Sequence, residues 1–178
     1  LAREEGVTSV ALSSFWRGGR PWGDRMRIIA GQWGGRRLQG PKGRAETRPT
    51  SDRAREALFS ILGPRITAGP FIDLYAGTGA VGLEAASRGA PEVILIEKAR
   101  GAVGLRRANV QALDASQVEV RQADASRPGP LPLAQVAFAD PPYGLPAEAA
   151  LNALLGCELQ PGGCWVLERR SSEPLPVL

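Results

Sequence analysis

The chain has 178 residues, 43% hydrophobic and 22% charged, with a net charge of +4, which suits one folded α/β domain and excludes a disordered chain. It holds no histidine and only two cysteines, which excludes histidine-based nucleophilic catalysis, histidine-ligated metals, a four-cysteine zinc site and a disulfide framework; no metal is expected. No apolar run approaches the ~20 residues of a membrane span and no secretory leader pattern is present, so a reducing cytoplasm is the expected setting.

The charge is unevenly spread. Residues 1–65 carry 13 Lys and Arg against 6 Asp and Glu, while residues 66–178 carry 9 against 12. The basic half is mostly arginine, whose planar fork matches phosphate and stacks on bases. A solvated basic face is the bland alternative.

Residues 1–25 show no periodicity, and Met26 is expected to be the natural start, with a disordered or extraneous leader before it. Trp16 and Trp22, interleaved with Arg17 and Arg20, add a weak nucleic-acid signal there. Arg27–Trp33, then Gly34-Gly35, then Arg36-Arg37-Leu38 reads as a β-hairpin with a glycine turn. A loop with Lys42, Arg44 and Arg48 leads to a helix from about Thr50 or Ser51 to Leu62, capped by Ser51 and stopped by Gly63-Pro64. Ala54, Leu58, Ile61 and Leu62 are expected on its apolar face, with Arg53 and Glu56 elsewhere.

Beyond this basic segment the pattern alternates. Strands are expected near 70–75, 92–97, 117–123, 134–140 and 163–169, and helices near 80–88, 98–113 and 146–155. That alternation predicts a Rossmann-like, mainly parallel sheet flanked by helices and joined by right-handed crossovers. Division at about residue 66 gives a basic extension (26–66) and a core domain (67–178). Cys157 and Cys164 read as small buried hydrophobes.

Two motifs carry chemistry. Gly77, Gly79 and Gly82 fit G-x-G-x-x-G between the strand Phe71–Tyr75 and a helix, the context that motif needs. Glu97 ends the next strand, 20 residues beyond Gly77, where a carboxylate can bind ribose hydroxyls. Asp73 lies four residues before Gly77. It would repel a pyrophosphate, which argues against a nicotinamide dinucleotide, and it suits a cationic ammonium such as that of S-adenosylmethionine. Asp124 ends a third strand and can accept from an adenine amino group. Strand ends of an open parallel sheet form the ligand crevice, so Asp73, Glu97, Asp124 and Asp140 are expected along one rim.

The second motif is Asp140-Pro141-Pro142-Tyr143, directly after the apolar run Val136–Ala139. The Asp140 carboxylate and a nearby carbonyl can accept both N–H bonds of an exocyclic amine. The prolines donate nothing and stiffen the loop, and Tyr143 offers a face for a base.

Together these stretches resemble the bacterial small-subunit ribosomal RNA guanine-N2 methyltransferases of the RsmD type, over roughly Met26 to Glu168. The resemblance rests on Met26–Trp33, on Arg48-Pro49-Thr50-Ser51-Asp52-Arg53-Ala54-Arg55-Glu56, on Asp73–Gly79 and on Asp140–Tyr143. It implies a class I methyltransferase fold with an N-terminal hairpin and helix, S-adenosylmethionine as cofactor, and methylation of one guanine amine of 16S rRNA in a partly or fully assembled small subunit. Such proteins usually add two antiparallel strands after the fifth; only ten residues follow Glu168 here, and Pro174 and Pro176 would interrupt a strand.

The expected catalytic residues are Asp140, Pro141, Pro142 and Tyr143. Cofactor contacts are expected at Asp73, Tyr75, Gly77, Thr78, Gly79, Glu97, Lys98, Asp124, Ala125 and Asp140. RNA contacts are expected at Arg27, Trp33, Arg36, Arg37, Lys42, Arg44, Arg48, Thr50, Arg53 and Tyr143. Three rivals stay open: adenine-N6 methylation of DNA, which shares D-P-P-Y; a nicotinamide oxidoreductase; and a non-catalytic RNA-binding assembly factor. A monomer is expected, since no spare apolar helix face is apparent.

Overall fold

A computed structural model of the chain describes residues 26–40, 52–142 and 144–168. Lys42, Arg44, Arg48, Thr50, Ser51 and Tyr143 lie outside them, as do the leader 1–25 and residues 169–178.

The elements run α1 (Asp52–Leu62), α2 (Arg65–Ala68), β1 (Phe71–Asp73), α3 (Ala80–Ser87), β2 (Val93–Glu97), α4 (Arg100–Leu113), β3 (Val118–Gln122), β4 (Ala134–Ala139), α5 (Ala147–Leu155) and β5 (Leu159–Leu167). The five strands form one sheet in the order β3-β2-β1-β4-β5, every pair parallel. β1 is the central strand, with Phe71 opposite Val93 on one side and Val136 on the other. Every residue of β1 and β4 is buried. This is what a parallel strand covered on both faces demands, and it explains the unbroken apolar runs.

Two apolar clusters flank the sheet. On one face Leu58, Phe59, Leu83, Ala86 and Leu113 pack with Phe71, Val93 and Phe138, and Ile28 and Leu38 of the N-terminal turn join the same cluster. On the other face Ala150, Ala153 and Leu154 of α5 cover Ile72, Ile94 and Ala137, helped by Ala125 and Leu131 from the β3–β4 connection. Arg121 fastens that connection, donating from Nη1 to the carbonyls of Pro128 and Pro130 at 3.2 and 2.7 Å. Cys157 and Cys164 are buried and unpaired.

The expected alternation of strands and helices from residue 70 onward is present. Three details differ. The N-terminal hairpin has the expected antiparallel arms, but they are joined by the single bridge Arg27–Arg37, with Ile28 N donating to Arg36 O and Leu38 N to Met26 O. Its stability comes from contacts outside the ladder, described below. In α1, Ile61 is 49% exposed, and the buried face is instead Arg55, Leu58, Phe59 and Leu62. The helix is rotated because Phe59 continues a stack through Phe71 to Phe138, with successive ring centroids 6.4 Å apart. β5 begins at Leu159 rather than near 163, and its pairing with β4 shifts register between Ala134 and Val136. Gly162, at φ 79°, lies in that irregular stretch.

Candidate active site and N-terminal turn

The strand ends meet where β1 separates β2 from β4, the switch point at which open α/β sheets bind ligands. Asp73 closes β1, Glu97 closes β2 and Asp140 follows β4 directly. Between β1 and α3 the chain turns through Gly77 and Gly79, at φ 47° and 81°. Gly79 caps α3 in the left-handed region without any side-chain hydrogen bond. A Cβ there would press on Arg106 and Leu95 as well as demanding a strained backbone.

Asp73 is buried, and its Oδ1 has no hydrogen-bond partner. Burial pushes its carboxyl up to about 7; Arg106 pulls it down, the charges of Asp140 and Glu97 push it further up, and a backbone hydrogen bond at Tyr75 lowers it. The four charged groups therefore share one electrostatic neighbourhood. A desolvated carboxylate among other acids, with one oxygen left without a partner, favours a cation beside it, which fits the ammonium of an amino-acid-bearing cofactor.

Glu97 accepts from the backbone N–H of Ala99 at 2.7 Å and from Arg106 Nη2 at 2.7 Å. Each oxygen keeps acceptor capacity for a hydroxyl. Asp124 stands further along the rim and is held on three sides. Lys98 Nζ lies 2.8 Å from Oδ2, and Oδ1 accepts from the Ser126 N–H at 3.0 Å and the Ser126 hydroxyl at 2.8 Å. Lys98 and then Ser126 hold its carboxyl well below the usual carboxylate range. The same ion pair raises the Lys98 ammonium. Burial, then the nearby Asp124 charge, raises the Tyr75 phenol, which brings Tyr75 to this end of the rim. Ala125 is buried in the second cluster, while Thr78 is half-buried at the loop.

Asp140 and Pro141 are half-buried and Pro142 exposed, at the mouth of the same crevice. Pro142 O accepts from Leu145 N at 3.1 Å, so the Pro-Pro stretch turns sharply before α5. Tyr143 lies outside the described residues.

The N-terminal turn is fastened to α3 by two polar residues that periodicity alone passes over. Glu84 is fully buried and accepts from the N–H groups of Ile29 and Ala30 at 2.6 and 3.0 Å, and from Arg88 Nε at 2.8 Å. Ser87 accepts from Trp33 N–H at 3.0 Å and donates to Ala30 O at 2.6 Å, and its carbonyl accepts from Gln32 N–H at 2.8 Å. Gly31, at φ 84°, approaches so closely that a Cβ would collide with the Ser87 carbonyl. Trp33 packs half-buried against the first cluster. Arg27, Arg36, Arg37 and Arg53 are exposed. Arg27 pairs with Asp52 at 3.4 Å, and Arg36 Nη2 donates to Ala112 O at 2.7 Å.

Glu84 and Arg106 were both discoverable. Glu84 is the lone acid in the apolar helix Ala80–Ser87, and Arg106 occupies a core slot of the stripe Val103, Arg106, Asn109, Leu113. A charge in a buried register signals a paired, purposeful group.

This order of strands, with a glycine loop after β1 and an acid at the end of β2, is the Rossmann-like arrangement that class I methyltransferases share. The C-terminal domain of precorrin-6Y C5,15-methyltransferase from Rhodobacter capsulatus shares it at TM-score 0.56 and 22% identity, over 68% of this chain and 64% of that one. The profile of the family described as Conserved hypothetical protein 95 matches residues 26–178, and the chain belongs to that family, the RsmD type. Ribosomal RNA small subunit methyltransferase D of Haemophilus influenzae is 35% identical over 161 residues, 84% of this chain and 81% of the relative. A solved Thermus thermophilus structure described as a hypothetical protein superposes at TM-score 0.72 and 36% identity, covering 84% of this chain and 89% of that one.

Proposed function

We propose that the chain transfers a methyl group from S-adenosylmethionine to the exocyclic N2 amine of a guanine in small-subunit rRNA. The observation that carries this reading is the placement of Asp140-Pro141-Pro142 across the switch point from the buried carboxylate of Asp73, whose Oδ1 has no partner. The name of the Haemophilus influenzae relative supports ribosomal RNA as the substrate, and the exposed arginines of the N-terminal turn support a phosphate-bearing one.

The residues present fit the cofactor. Asp73 would take its ammonium, the Gly77–Gly79 loop would let it approach the backbone, Glu97 would take ribose hydroxyls, and Asp124 or the backbone at Ala125 would face its adenine. When bound, the cofactor supplies an electrophilic methyl on a sulfonium, whose loss leaves a neutral thioether. The chain's task is then alignment. The Asp140 carboxylate and the Pro141 carbonyl accept the two N–H bonds of the guanine amine, favouring a pyramidal nitrogen with an available lone pair as positive charge develops there. Asp140 need not remove a proton before attack; the methylated nitrogen sheds one afterwards, to Asp140 or to water. Tyr143 would stack on the base, with Arg27, Arg36, Arg37, Lys42, Arg44, Arg48, Thr50 and Arg53 on the phosphates around it. Trp33 is packed against the core and supports this turn from beneath.

The test is transfer of labelled methyl from S-adenosylmethionine to small subunits lacking the modification, to naked 16S rRNA and to duplex DNA, followed by nucleoside analysis. N2-methylguanosine from subunits or rRNA is expected. N6-methyladenine in DNA, or no transfer despite cofactor binding, would contradict the reading.

A further inference from the structure

Arg106 is the one cation among the described residues that is both fully buried and set against the rim acids. Its side chain is 0% exposed, and Nη2 donates to Glu97 Oε2 at 2.7 Å. Nε and Nη1 are enclosed without a partner, as is Asp73 Oδ1. Gly79 lies close against the same side chain: a Cβ there would stand 3.3 Å from Arg106 Cγ and 3.4 Å from Leu95 Cδ1. The aliphatic stem of Arg106 thus runs beneath the glycine loop, and its guanidinium reaches Glu97 at the end of β2.

We propose that Arg106 is a positioning residue for the cofactor pocket: one sealed guanidinium grips Glu97 by a hydrogen bond and Asp73 by charge, presetting both acids before a ligand arrives. The cost of burying such a cation is large unless it is paired, and an apolar residue would continue the stripe of α4 more cheaply. The gain lies in the acids. Asp73 faces Arg106 from α4, Asp140 from the end of β4, Glu97 from the end of β2 and the Tyr75 backbone from its own loop. Of these charged neighbours only Arg106 favours the ionised form. Without it, burial and two negative charges would act together to keep Asp73 protonated, and a neutral carboxyl cannot pair with an ammonium. Arginine suits the task better than lysine because its planar fork can engage Glu97 through one nitrogen while its delocalised charge faces Asp73.

The role in cofactor binding rests on the function proposed above; the grip on the two acids does not, and the experiment separates them. Carboxyl-carbon NMR titration of the ligand-free protein, wild type and Arg106→Met, reads the Asp73 midpoint directly. It is expected to rise by one pH unit or more in the variant. Arg106→Gln, which removes the charge but keeps a donor for Glu97, carries the same test if the Met variant fails to fold. Titration with S-adenosylhomocysteine should then show affinity reduced about fivefold or more at pH 7, with the deficit shrinking at pH 8.5 as Asp73 ionises. An unmoved Asp73 midpoint in a folded variant, or a deficit independent of pH, would overturn the proposal and leave Arg106 as filler. A shifted midpoint with no ligand binding by either protein would support the grip and contradict the cofactor reading.

Discussion

The cofactor rim and the N-terminal turn are held in place by opposite means. The rim owes its geometry to backbone: four parallel pairings fix where β1, β2 and β4 end, and the acids follow from register. The turn has a single bridge of its own and is held by side chains of a helix some 55 residues away, chiefly Glu84 and Ser87. The backbone of a rim built on register keeps its course when one side chain is lost. A turn built on two side chains does not, so single substitutions should separate binding of RNA from binding of cofactor.

The largest effect should come from Asp140→Ala. With one acceptor for the amine lost, turnover is expected to fall by about 10²–10³, the range for removing one hydrogen-bonding group aimed at developing charge. Cofactor affinity measured by calorimetry should change only a few-fold. Comparable losses in both would make Asp140 a cofactor ligand first.

Glu84→Gln removes a buried charge that receives three donors, and the cost should be roughly 3 kcal/mol, as for breaking a buried ion pair. Urea denaturation reads that loss. RNA affinity should fall with it, because the turn is no longer fixed on α3. If stability drops while RNA affinity is untouched, the turn is not the RNA-facing surface.

The ligand-free protein should also lose stability as pH rises from 5.5 to 8. The folded Asp73 carboxyl sits at about 7, above its ordinary 3.8. Between those values the folded state binds the extra proton, so unfolding becomes easier as pH rises, levelling off above 7. The change over that interval is about 2 kcal/mol at 1.36 kcal/mol per unit. Melting temperatures across the range check it, and saturating S-adenosylhomocysteine should raise the melting temperature more at pH 8 than at pH 5.5. A flat or rising profile would mean that burial does not raise the Asp73 carboxyl as described.

The smallest effect is expected from Arg36→Ala, which gives up one exposed contact to the last turn of α4. Stability should change by less than about 1 kcal/mol. RNA binding should weaken a few-fold, and the slope of log affinity against log salt should fall by about one if Arg36 meets a phosphate. An unchanged slope would confine Arg36 to capping α4.

The contrast between the two regions also explains what can be read from the chain. Strand ends, the glycine loop and D-P-P-Y are local patterns, and a parallel sheet carries them to one edge by rule, so Asp73, Glu97 and Asp140 fall on the rim where their spacing puts them. Long-range side-chain contacts leave no such periodic trace. The attachment of Ile29 and Ala30 to Glu84 spans 55 and 54 residues, and the hydrogen bond from Gln39 N–H to Asn109 Oδ1 spans 70. The face of α1 differs from its expected position because Leu58, Ile61 and Leu62 satisfy helical spacing as well as Leu58, Phe59 and Leu62 do; only the Phe71 ring, supplied by the sheet, decides between them. The stripe of α4 holds a clue in Arg106, which interrupts apolar positions with a charge.

The central claim is that the rim binds cofactor and the α3-mounted turn binds RNA. It is tested most directly by measuring both affinities in Asp73→Asn and Glu84→Gln, with S-adenosylhomocysteine by calorimetry and a 16S rRNA fragment by fluorescence anisotropy. Asp73→Asn is expected to weaken the cofactor at least tenfold and leave RNA within twofold, while Glu84→Gln does the reverse. Loss of both ligands in either folded variant, or the opposite pattern, would contradict it.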